Sequence, residues 1–111
     1  MVGSLKILFG AVLAVMLYVT VSASLVEGVF DAGRRLWVDP WFRATLADAY
    51  FGFVAVFLWI AWREATTGAR VIWFVLLMTL GNIAIAGYCL VALFRLRPGD
   101  GVGALFQRRV Q

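Results

Sequence analysis

Residues Val71–Phe94, VIWFVLLMTLGNIAIAGYCLVALF, form a run of 24 residues without a formal charge. As one helix the run would extend about 36 Å at about 1.5 Å per residue, enough to cross a hydrocarbon core of about 30 Å with some tilt. It predicts a membrane span, with Asn82 near the middle. Immediately before it, Arg63–Arg70 contains Thr66-Thr67-Gly68, which suits a tight antiparallel connection between two helices.

Farther toward the N-terminus, Ala44–Trp62 is apolar except for Asp48. Its uncharged part, Ala49–Trp62, is too short at 14 residues to cross alone, so a span here carries Asp48 within or just inside the membrane. The preceding linker, Glu27–Arg43, mixes charges with Trp37, Trp41 and Phe42, as expected of a segment at headgroup depth. Asp39-Pro40 stops any helix arriving from that loop. Before the linker, Ile7–Val26 is a 20-residue uncharged run and predicts the first span. Lys6 with Val21-Ser22-Ala23 imitates a secretory signal, but the length of the run favours an uncleaved anchor. Beyond Phe94, Arg95 and Arg97 end the third span, and Pro98 and Gly99 prevent its continuation, leaving 95–111 as a tail.

Composition agrees with this layout. The 111-residue chain is 64% hydrophobic and only 14% charged, with mean hydropathy +0.95, too few charges to clothe a soluble domain. The absence of histidine removes imidazole ligands and His-based nucleophile pairs, and a single cysteine, Cys89, removes thiolate cages and internal disulfides. No metal site and no cofactor is expected. The net charge of +4 does not indicate nucleic acid, because the basic residues stand at the edges of apolar runs and not on a polar, phosphate-tracking surface. If the three spans alternate, the first loop and the tail share one face with Arg34, Arg35, Arg43, Arg95, Arg97, Arg108 and Arg109. Lys6, Arg63 and Arg70 occupy the other. That bias places the tail in the cytoplasm.

An ionisable residue inside a span costs about 2.5–3.5 kcal/mol on insertion scales, so Asp48 needs a partner. On a helix it shares a face with Gly52 and Ala55, a small-residue groove suited to close helix packing. Depth matching of three alternating spans gathers Thr20, Ser22, Ser24, Asp48 and Tyr88 into one polar cluster at the first-loop edge, within reach of Arg35, Arg43 or Arg95. Asn82 reads as an interhelical hydrogen-bonding residue, and Gly81 and Ala84 belong to a second small-residue strip. The five tryptophans mark the two interfaces.

The strings Asp39-Pro40-Trp41-Phe42, Asp48-Ala49-Tyr50-Phe51-Gly52-Phe53, Trp73-Phe74-Val75-Leu76 and Leu80-Gly81-Asn82-Ile83-Ala84 resemble a family of short three-span membrane proteins known only as a domain of unknown function. The resemblance covers roughly residues 5–95, and Asp48 and Asn82 fall within its motif positions. It implies no activity, substrate or cofactor. Size and span number alone also resemble the small subunits of carotenoid cyclases, whose motifs are not matched.

The expectation is thus an all-α, single-domain, multi-pass membrane protein of three antiparallel spans at 7–26, 44–62 and 71–94. Its partners would be lipids and other transmembrane helices, of its own kind or another. Its role would be that of an accessory or packing subunit rather than an enzyme. The alternative is a membrane-embedded enzyme or carrier for a lipid or isoprenoid, with Asp48 as the acid.

Overall fold

The structure is a computed structural model and describes residues 1–107. It is all-α, with no strand among those residues: α1 Val2–Val26, α2 Val29–Leu36, α3 Pro40–Arg63, α4 Thr67–Leu80, α5 Asn82–Phe94 and a final 3-10 turn, Val102–Phe106. Two of these helices, α1 and α3, are long and apolar enough to cross a membrane. Arg108 and Arg109, used above for orientation, lie outside the described residues.

Local chemistry explains most of the boundaries. Pro40 occupies the first turn of α3, where its missing N–H costs nothing, and the Asp39 carboxylate accepts a hydrogen bond from Trp41 N at 2.9 Å. Thr66 caps α4 by accepting from Ala69 N at 3.2 Å. Between them the chain turns within Glu64, Ala65 and Thr66. Arg70 fastens this turn by donating to the carbonyls of Ala61 at 2.8 Å and Glu64 at 2.9 Å, which the end of α3 leaves open.

The expected third span is not one helix. It breaks at Gly81, whose φ of 58° and ψ of −123° no side chain-bearing residue adopts without strain. The chain then doubles back. Trp73 and Tyr88 would lie about 22 Å apart along a continuous helix, yet their rings meet edge to face with centroids 4.8 Å apart. Helices α4 and α5, with 14 and 13 residues, each reach only about 20 Å and form a hairpin. Phe53 of α3 fills the inside of the turn so closely that a Cβ on Gly81 would lie 2.7 Å from its ring. Tyr50, one turn earlier on α3, donates its hydroxyl to Met78 O at 3.0 Å, satisfying a carbonyl where α4 ends.

The reversal reorganises the bundle. Helix α5 is its centre, with Ala84, Ala86, Tyr88, Ala92 and Leu93 buried. One side of it joins Ile60 of α3 and Leu77 of α4 in a core cluster. Farther along, Ala92 and Leu93 pack with Val2, Leu5 and Phe9 of α1 and with Leu105. Small alanines on α5 let the neighbouring backbones come close. The expected tail is also partly folded: Leu105 is buried, and Trp59 donates from its indole N–H to Leu105 O at 3.3 Å.

This arrangement changes which ends meet. Lys6 stands over the Phe94 ring at 4.4 Å, so the start of α1, the α3–α4 connection and the end of α5 lie together. At that end are Lys6, Arg63, Arg70, Arg95 and Arg97, with the acids Glu64 and Asp100. The first loop, expected on the tail's side, lies at the opposite end. There α2 carries two surface ion pairs, Arg35 to Glu27 at 2.6 Å and Arg34 to Asp31 at 2.5 Å.

Candidate functional site

The end of the bundle that collects the basic residues also holds its only buried charges among the described residues. Arg63 is 7% exposed and Glu64 3%. Both are the last residues that α3 delivers before the turn, and α5 returns beside them because Gly81 reversed the chain. Tyr88, buried on α5, donates its hydroxyl to Glu64 Oε2 at 3.0 Å. Trp59, one turn before Arg63, stacks edge to face on Tyr88 with centroids 5.4 Å apart.

The Arg63 guanidinium lies over both rings, 5.5 Å from the Trp59 centroid and 5.7 Å from that of Tyr88. Its Nε and Nη1 are buried and have no hydrogen-bond partner among the described residues. Desolvated cation–π contacts are worth about 2 kcal/mol, whereas a buried ion without full pairing costs several kcal/mol. The aromatic rings stabilise the charge without accepting its directed N–H groups.

Beside Arg63 is a cavity of about 530 Å³, walled by Glu64, Tyr88, Arg95, Arg97 and Asp100 among others. Arg95 and Arg97 are exposed at its rim. Asp100 is engaged locally, accepting from Arg97 N at 2.8 Å. A second, apolar cavity of about 420 Å³ lies at the other end, between α2 and the start of α3, lined by Val29, Phe30, Trp37, Phe42 and Leu46. No cluster of three or more potential metal ligands occurs among the described residues.

A family model described as a protein of unknown function (DUF1475) matches residues 1–107. The chain belongs to that family. The description carries no activity, ligand or span count. No curated protein and no solved structure matches the chain.

The polar cluster expected from depth matching does not assemble. Asp48 is exposed, and its carboxylate has neither a hydrogen bond nor an ion pair among the described residues. Tyr88 is at the opposite end, with Glu64, because the run containing it is a hairpin of two helices and not one helix. Thr20 is exposed, Ser22 half-buried, Arg43 exposed, and none is bonded to Asp48 through its side chain. Arg95 is the one expected arginine that lines the cavity with Tyr88.

The packing residues divide in the same way. Ala84 is buried in the core, and Gly81 forms the turn against Phe53. Asn82 is exposed beside the turn, and its side chain makes no interhelical hydrogen bond among the described residues. Gly52 and Ala55 are exposed on α3, and a Cβ added at Gly52 would meet nothing within 4 Å. The groove they form with Asp48 faces away from the bundle.

Sequence reasoning treated Arg63 as a topology marker and passed over Glu64. The missed signal was Gly81-Asn82 halfway along the third run. A turn there returns Tyr88, seven residues later, to the level of Trp73 and Phe74, and hence to the end of α3.

Proposed function

We propose that this protein is a small membrane protein that crosses the bilayer twice, through α1 and α3, and serves as an accessory subunit of a larger membrane assembly. In this reading α4 and α5 form a re-entrant hairpin that enters and leaves on the side of the tail. Each is too short to span about 30 Å. The turn at Gly81 suits that depth because α3 covers it and Tyr50 satisfies one of its carbonyls. Five basic residues, Lys6, Arg63, Arg70, Arg95 and Arg97, gather at the tail end against three, Arg34, Arg35 and Arg43, at the other, and this bias supports a tail end that faces the cytoplasm.

The observation that carries the accessory role is Asp48. It lies nine residues past the Asp39 cap, about 13 Å along an apolar helix, exposed and with no hydrogen bond or ion pair among the described residues. A carboxylate there needs pairing, and Gly52 and Ala55 beside it leave room for a helix to approach. The partner is a different membrane protein, one that presents a basic or hydrogen-bond-donating side chain. A parallel second copy packed on the same face would set Asp48 against Asp48. An enzyme or carrier using Asp48 as its acid needs a cavity beside that residue, and neither cavity described above includes it.

The test is copurification of the full chain from its native membrane in mild detergent, with Asp48→Asn and Gly52→Leu variants. Both variants should lose a defined membrane partner while the isolated chain melts at an unchanged temperature, since a Cβ at Gly52 meets nothing within 4 Å and Asp48 is exposed with no hydrogen bond or ion pair among the described residues. A wild-type chain that elutes without any partner, or variants that keep the same partner in the same yield, would overturn the accessory role.

A further inference from the structure

We infer that the cavity at the tail end binds a phosphate-bearing anion, with Arg63 as its buried anchor and Arg95 and Arg97 at its entrance. The inference is independent of the partner helix proposed for α3, which lies on another face.

Three observations converge on it. Arg63 is more than nine-tenths buried, and two of its guanidinium nitrogens have no acceptor among the described residues. Arginine presents five N–H donors in a rigid fork and cannot shed its charge, so the shortfall is met by an acceptor that enters from outside. The space beside it, about 530 Å³, falls within the range of about 300–1,000 Å³ usual for small-ligand sites. Its charge is also suited to an anion. Three arginines line it against two acids, and both acids already accept hydrogen bonds within the chain, Glu64 from Tyr88 and Asp100 from Arg97 N.

Phosphate chemistry is favoured over a carboxylate because the three guanidiniums come from different segments: the end of α3, the end of α5 and the strand of chain after it. A phosphate group offers oxygens in several directions and pairs with more than one fork at once, whereas a carboxylate has two oxygens in one plane. The trimming of the site agrees. The Trp59 and Tyr88 rings lie beside the Arg63 guanidinium, 5.5 and 5.7 Å from it, and supply no hydrogen-bond acceptor to its Nε or Nη1. Lys6 and Arg70 add positive potential at the same end.

The phosphate has two possible sources, a lipid headgroup at the membrane surface or a free phosphate in the cytoplasm, and the experiment separates them. The full chain in mild detergent is melted in increasing inorganic phosphate, with sodium acetate and sodium chloride at matched ionic strength as controls. In parallel it is reconstituted with phosphatidylcholine vesicles containing phosphatidylglycerol, and the lipid retained after extraction is identified by native mass spectrometry. A saturable rise in melting temperature with phosphate but not acetate assigns a free phosphate. Preferential retention of phosphatidylglycerol over phosphatidylcholine assigns the headgroup. Either result supports the site.

Arg63→Gln should weaken that binding by at least about tenfold, and Arg63→Lys, which keeps charge but not the fork, should be intermediate. Removing an unpaired buried cation should also leave the ligand-free chain no less heat-stable, which a purely structural arginine would not do. Should Arg63→Gln fail to fold, the exposed Arg95→Gln and Arg97→Gln variants carry the same test with smaller losses. No preference of the wild-type chain for phosphate over acetate or for phosphatidylglycerol over phosphatidylcholine would overturn the inference. So would binding that is unchanged in the arginine variants.

Discussion

Helix α3 and the α4–α5 hairpin come from apolar runs of similar length, yet one is a continuous helix of 24 residues and the other doubles back on itself. Hydropathy does not separate them. Helix α3 even carries the greater apparent handicap, Asp48. The difference lies in what the backbone is asked to do at one position. Gly52 of α3 sits in helical conformation with open space around it, whereas Gly81 has a positive φ and the Phe53 ring against its α-carbon. A polar side chain in a helix is a question of solvation and partners, while a residue in that region of backbone space ends the helix.

The largest effect should therefore come from Gly81→Ala. A side chain at that φ and ψ costs about 1–3 kcal/mol, and the clash with Phe53 adds an overpacking term of about 1–3 kcal/mol. The alternative open to the variant is to straighten the run into the single helix that its hydropathy suggests. Spin labels at Ile72 and Val91 distinguish the two shapes. In the wild-type chain their helices are neighbours, with axes about 8–10 Å apart, while along a continuous helix the sites separate by about 28 Å. A long distance in the wild-type protein, or a Gly81→Ala variant as heat-stable as the parent, would break the comparison.

The same contrast explains what was legible in the sequence. Helix breaks tied to side-chain chemistry were readable, Asp39-Pro40 as a stop and Thr66-Thr67-Gly68 as a connection, but α3 and α4 each begin four residues before the expected spans, at Pro40 and Thr67. The all-α class and the two long apolar helices followed from the length of uncharged runs. The hairpin did not, because hydrophobic periodicity counts apolar residues and is indifferent to their direction. Gly81-Asn82 was read as one packing residue and one hydrogen-bonding residue on a straight helix. That single error moved Tyr88 to the wrong end, created a polar cluster around Asp48, and hid the pairing of Tyr88 with Glu64. Arg63 was unreadable for another reason. Charged residues at span ends are usually solvated, and nothing local says that a folded tail and a returning helix bury this one.

A smaller effect sharpens the comparison at the turn itself. Tyr50→Phe removes the hydroxyl that α3 donates to Met78 O and leaves the carbonyl without that donor. A typical bond of this kind contributes about 0.5–1.5 kcal/mol, measurable as a lower melting temperature in detergent. Tyr18 on α1 is the control, 75% exposed and with no side-chain hydrogen bond among the described residues. Tyr18→Phe should leave the melting temperature where it is. Equal changes for the two variants would mean that the Tyr50 bond does not hold the turn.

The smallest effect concerns the opposite end, where charge is exposed instead of buried. Glu27, just beyond α1, accepts from Arg35 Nη2 at 2.6 Å and from Arg35 Nε at 3.2 Å. Those hydrogen bonds, with the attraction of the guanidinium, hold its carboxyl below the usual carboxylate range. They correspondingly raise Arg35. Because the folded chain binds the Glu27 proton less readily than the unfolded chain, the pair's contribution is present above the ordinary glutamate range, near about pH 4.3. It fades as pH falls through the lowered folded value. Solvent and salt screen so exposed a pair, so the effect is a small one, and its sign is the informative part. The melting temperature of the wild-type chain should exceed that of Glu27→Gln slightly at neutral pH, and the gap should close in acid and in high salt. A gap that widens as the pH is lowered would mean that Glu27 is stabilised in its protonated form, against the direction set by its bonds to Arg35.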